Sequence, residues 1–106
     1  MARTRGTKTR LTRTQAQKYL SNAPEDKVFW SHDGKKFRNL FELQSGLNSM
    51  DDETYAYHTR TGKNDFATWI REVIGDETLA SDLEKNLTRL EASMEVESRI
   101  HNLISQ

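Results

Sequence analysis

Cysteine is absent from the 106 residues, which excludes disulfide bridges, thiolate metal sites and a cysteine nucleophile. Proline occurs once, at Pro24, and glycine five times, so few positions force the backbone out of regular structure. No apolar run approaches the roughly 18–20 residues that a membrane span requires. The charged N-terminus is not followed by the roughly 7–15-residue apolar stretch of a secretory signal. These absences lead to the expectation of a cytoplasmic, non-membrane chain. Apolar side chains are also scarce, at 34% of the residues against 30% charged, so part of the chain is expected to lie outside any core. The length leaves room for one domain.

What is present is unevenly placed. Two Trp, three Tyr and four Phe occur, most of them between positions 29 and 69, so the expected core is local. The formal net charge of zero hides a segregation. Positions 1–18 carry Arg3, Arg5, Lys8, Arg10, Arg13 and Lys18 and no acid, while positions 51–106 carry six bases against twelve acids.

Residues 1–13 have Leu11 as their only sizeable apolar side chain past Met1 and cannot offset the entropy of ordering them, which predicts disorder. A short helix is expected over 14–21, with Thr14 and Gln17 in capping-box spacing and Asn22 and Pro24 ending it. Lys27–Trp30 and Lys35–Arg38 flank Ser31-His32-Asp33-Gly34, a hairpin signal with Phe29 and Phe37 inward. Asn39 opens a helix with Glu42 in capping register, Leu40, Leu43 and Leu47 on one face, and Gly46 or Asn48 closing it. A second helix starts near Ser49 or Asp51 and stops at Thr61-Gly62-Lys63-Asn64. A third, capped by Asn64 or Asp65, carries Phe66, Trp69, Ile70 and Val73 and ends at Gly75.

Asp76 caps a last helix with two apolar stripes. Leu79, Leu83, Leu87, Leu90 and Met94 form one; Val96, Ile100, Leu103 and Ile104 form another, rotated by roughly 120° at about 100° per residue. Either this helix breaks near Ser93–Glu95 or it serves two surfaces. The expected fold is mainly α: a small β-hairpin packed on three short helices, a longer C-terminal helix and a disordered basic N-terminal arm. The expected division is a basic arm at 1–23, a compact domain at 24–85, and an extension of the last helix at 86–106.

The words Asp33-Gly34, Asn39-Leu40, Tyr57-His58, Asn64-Asp65-Phe66-Ala67-x-Trp69-Ile70 and Gly75-Asp76 resemble a family of short, mostly archaeal proteins known only as a domain of unknown function. The resemblance covers about residues 24–85 and implies domain limits but no activity. Ala2-Arg3-Thr4 and the Thr/Arg/Lys run after it also look like the start of a histone tail, which nothing beyond position 10 supports.

Charge layout gives the functional expectation: a small non-enzymatic protein that binds the phosphate backbone of DNA or RNA. The candidate nucleic-acid-binding residues are Arg3, Arg5, Lys8, Arg10, Arg13 and Lys18 of the arm, with Lys35, Lys36 and Arg38 of the hairpin. Arg and Thr together offer forks and hydroxyls to phosphate oxygens, and the hairpin aromatics offer a stacking surface. The alternative is a protein–protein adaptor or homo-oligomerising module acting through the acidic C-terminal helix, with Val96, Ile100, Leu103 and Ile104 facing a second copy or a partner helix. No cofactor and no metal are expected, since His32, His58 and His101 lack ligand spacing. His58 reads as a structural residue, with Asp65 either receiving its hydrogen bond or capping a helix. Asp51, Asp52 and Glu53 fan around a helix start, Gly62-Lys63 lacks the glycines of a phosphate cradle, and no G-x-S-x-G occurs, so catalysis is not expected.

Overall fold

The computed structural model describes residues 11–106. The expectations for Arg3, Arg5, Lys8 and Arg10, and of disorder across the first ten residues, lie outside the described residues. The chain is mainly helical, with a two-stranded antiparallel hairpin and a long C-terminal helix, as expected.

Helix α1 spans Arg13–Leu20. Its cap is Thr12, in a reciprocal box with Gln15, not the Thr14–Gln17 pair. Both pairs have the required spacing; the earlier start is the one observed, and it buries Ala16 while Leu11, Tyr19 and Leu20 pack against the core. Part of the expected arm is therefore core.

Strands β1 (Phe29–Trp30) and β2 (Lys36–Phe37) pair Phe29 with Phe37 and Trp30 with Lys36. So short a hairpin needs a surface to lie on. Phe29 provides the anchor: its ring stacks on Phe66 at 5.0 Å, meets Trp69 edge-on at 5.9 Å and lies 5.1 Å from His58.

Helix α2 (Leu40–Ser49) starts as expected, with Asn39 accepting from the Glu42 N–H and Leu40, Leu43 and Leu47 fully buried. Each such leucine contributes roughly 1.5–3 kcal/mol of hydrophobic stabilisation. Gly46 does not close this helix. It sits inside it because the Phe37 ring lies against its Cα, and the helix runs on until the Met50 N–H bonds the Gly46 carbonyl.

Helix α3 (Asp52–Thr59) is capped by Asp51, and α4 (Asp65–Trp69) by Asn64. Helix α4 runs into a π-turn at Ile70–Ile74 that ends on Gly75 at φ 92°, a left-handed position that suits glycine. Asp76 caps α5 (Glu77–Leu83), as expected.

The last helix is not continuous from Asp76. Helix α5 stops at Leu83, Asn86 adopts φ 57°, and Thr88 caps α6 (Arg89–Ile104) with Glu91. The break near Ser93–Glu95 does not occur. Helix α6 runs antiparallel to α2: Gln44 Nε2 bonds Ser93 Oγ at 3.2 Å, while Arg89 Nη1 bonds the Leu47 and Asn48 carbonyls. Ala92, Val96, Ile100 and Leu103 enter the same core as α2 and α1, so residue 85 marks a loop between helices, not the edge of the core. No helix among the described residues is long and apolar enough to cross a membrane.

Candidate nucleic-acid interface

The residues singled out as a partner interface separate in the fold. Val96, Ile100 and Leu103 are buried within this chain, whereas Ile104 is exposed. The three buried residues therefore belong to the core and not to the expected interface, because the rotated stripe meets α1 and α2. Of the other stripe, Leu79 and Leu83 are core, while Leu90 and Met94 face outward beside Glu91 and Glu97.

The described basic candidates fall in separate places. Arg13 lines a groove between α1 and the end of α6 with Leu20 and Ile104. Lys18 lies beside Gly75, at the end of the π-turn. Lys35 and Lys36 stand on the hairpin. Arg38 is already engaged, for its guanidinium and backbone N–H both bond Glu42, at 2.9 and 2.8 Å. That bonding raises the Arg38 pKa and lowers the Glu42 pKa, the side-chain hydrogen bond being the leading cause for each.

The wider charge pattern is more informative than any one base. Lys63, Arg71, Lys85, Arg89 and Arg99 each pair with a carboxylate, the longest separation being 3.3 Å. Arg71 holds Glu77 and Glu84 together, and its hydrogen bonds hold both carboxyls below their ordinary pKa. Arg99 grips buried Asp76 through two bonds of 2.8 Å. Among the described residues no salt bridge joins a carboxylate to Arg13, Lys18, Lys27, Lys35, Lys36 or Arg60. The unneutralised positive charge thus lies on α1, on Lys27 just before β1, on the hairpin and at the end of α3.

Aromatic rings accompany it. Trp30 is 64% exposed, and Lys36, its cross-strand partner, places Nζ 5.6 Å from the ring centroid. At the hairpin tip His32 stacks on Tyr57 at 3.8 Å. Arg60 and Lys63 set cationic groups 4.8 and 5.2 Å from the Tyr57 centroid. The sequence pointed to Lys35, Lys36 and a hairpin stacking surface. It did not point to Tyr57, Arg60 and Lys63, because α3 must dock against the hairpin tip before these residues meet His32.

His58 performs the docking. Its Nε2 accepts the His32 backbone N–H at 2.9 Å, and its Nδ1 lies 2.9 Å from Asp65 Oδ2. An Nε2 that accepts leaves the proton on Nδ1, which donates to Asp65. This arrangement resembles a catalytic His–Asp pair, but the working nitrogen is occupied by backbone. The structural reading of His58 fits, with Asp65 as the acceptor and Asn64 as the cap. Among the described residues no group of three or more His, Asp or Glu side chains is placed to hold a metal ion.

No family model, curated protein or solved structure matches the chain. The resemblance seen in the Asn64–Ile70 segment is neither supported nor contradicted by them.

Proposed function

We propose that this chain is a small non-enzymatic protein that associates with nucleic acid, holding phosphates through the bases of its first 18 positions and of the hairpin. The observation that most supports this reading is the division of its bases. Arg38 and the bases from Lys63 onward are matched by carboxylates, while Arg13, Lys18, Lys27, Lys35, Lys36 and Arg60 have no such partner among the described residues. Unmatched surface bases attract a polyanion and release its counterions. The test is a salt titration of binding to generic duplex DNA and to RNA, with the wild type and a full-length variant carrying serine at Arg3, Arg5, Lys8 and Arg10. No binding by the wild type at low salt sinks the reading.

A second reading, a partner-binding adaptor, draws on a different part of α6 from the one first expected. Leu90 and Met94 are 52% and 65% exposed among acidic neighbours, a surface suited to an apolar and basic partner helix. Sedimentation of the wild type tests its self-associating form; a monomer at all concentrations removes that form.

A further inference from the structure

The hairpin face carries two aromatic stations, each beside a cation. Trp30 projects from the side of β1 opposite buried Phe29, and the Lys36 ammonium stands 5.6 Å from its ring. Two residues on, His32 lies flat on Tyr57, with ring planes 16° apart. His32 lies in the turn that follows β1, and two residues of chain reach at most about 7 Å, so the stations are close neighbours. Beside the second, a cleft of about 350 Å³ is lined by His32, Glu53, Ala56, Tyr57 and Arg60.

These features select among nucleic acids. A duplex buries its base faces in its own stack and offers phosphates and groove edges, so an exposed indole has nothing flat to meet. Unpaired bases do offer faces, and each stacks on an aromatic ring with little regard to sequence. Glu53 lines the cleft with Arg60, and Asp33 accepts the Lys35 N–H at 3.3 Å in the hairpin turn, so acids accompany the bases and limit the net charge. Its binding must therefore come more from stacking than from counterion release. The basic N-terminal segment has the opposite character.

We propose that this hairpin face binds single-stranded nucleic acid, with one unpaired base stacked on Trp30, a second at the His32–Tyr57 pair, and Lys36 and Arg60 on the phosphates. The inference rests on the nucleic-acid reading above and adds strandedness and residues to it. The experiment uses full-length protein with labelled oligo(dT), oligo(U) and a duplex of equal length, read by fluorescence anisotropy, with circular dichroism to confirm the fold of each variant. Trp30→Ala is expected to weaken both single strands about ten- to hundredfold and the duplex by less than about twofold. Trp30→Phe restores most of the loss, and single-strand binding fades less steeply with salt than duplex binding. Unchanged single-strand affinity in Trp30→Ala, with binding lost when Arg3, Arg5, Lys8 and Arg10 are replaced, overturns the platform and leaves the broader reading standing. Failure of the wild type to bind any of the three probes overturns both.

Discussion

A methyl group added at Gly46 would overlap the Phe37 ring, which is itself buried and stacked on Phe29. In an open helix, glycine to alanine stabilises by about 1 kcal/mol. Here overpacking opposes that gain, because the overlap can be relieved only by moving a ring stacked on Phe29. Gly46→Ala is expected to lose about 1–3 kcal/mol net; a urea midpoint above that of the wild type would contradict the packing argument. Asp76 illustrates a different residue-scale dependence. It caps α5 through the Leu79 N–H and takes both bonds from Arg99, whose side chain is 11% exposed. Asp76→Asn keeps a cap acceptor but leaves the guanidinium without its counter-charge, for an expected loss of about 3 kcal/mol in chemical denaturation. Asp76 was legible as a cap because capping is local. Arg99 was not legible as its partner, because only the packing of α6 on α5 brings the two together.

Caps and breaks decide the elements. Asn39, Asp51, Asn64 and Asp76 each accept a backbone N–H three residues on, and these starts were readable from residue type and spacing. The join between α5 and α6 was not, because Leu83, Leu87, Leu90 and Met94 keep helical spacing straight across it. The signals that outweigh that spacing are Asn86 in the left-handed region and the Thr88–Glu91 box. Thr88→Ala should therefore cost about 1 kcal/mol and raise hydrogen exchange in the first turn of α6 before other helices respond. Arg71 supports the neighbouring joint, reaching from the π-turn to Glu77 at the start of α5 and Glu84 at its end. Its hydrogen bonds lower both carboxyl pKa values from the ordinary 4.5. A carboxylate depressed on folding contributes stability above its unfolded pKa and loses it as pH falls through the folded value. The contribution is thus present at neutral pH and is lost progressively as pH falls below about 4.5. Arg71→Gln is expected to bring the two carboxyls back toward their ordinary titration, seen by carboxyl NMR, and to flatten the stability profile below that pH. An unaltered Glu77 titration would mean that the exposed clamp is screened by solvent.

At the scale of the whole molecule the question is which charges remain available. The chain has 16 bases and 16 acids, so its net charge offers a polyanion no attraction, and any binding must come from their arrangement. Had the bases of positions 1–18 been matched by local acids, as Arg71 is by Glu77 and Glu84, the nucleic-acid reading would have little physical support. The sequence has no acid there to match them, and the two described ones, Arg13 and Lys18, form no salt bridge with another described residue. Charge segregation was legible from sequence because it needs no fold. The stacking platform was only half legible, since Trp30 and Lys36 meet across a hairpin but Tyr57 and Arg60 arrive on a helix. The two parts differ in how they respond to salt. The six bases of positions 1–18, all engaged on duplex DNA, contribute roughly −5 to the log–log slope. Replacing Arg3, Arg5, Lys8 and Arg10 with serine leaves two of the six, so that contribution should fall to about −2 while circular dichroism stays unchanged. A slope unchanged by the four replacements would show that Arg3, Arg5, Lys8 and Arg10 do not engage phosphate, and would remove them from the binding surface.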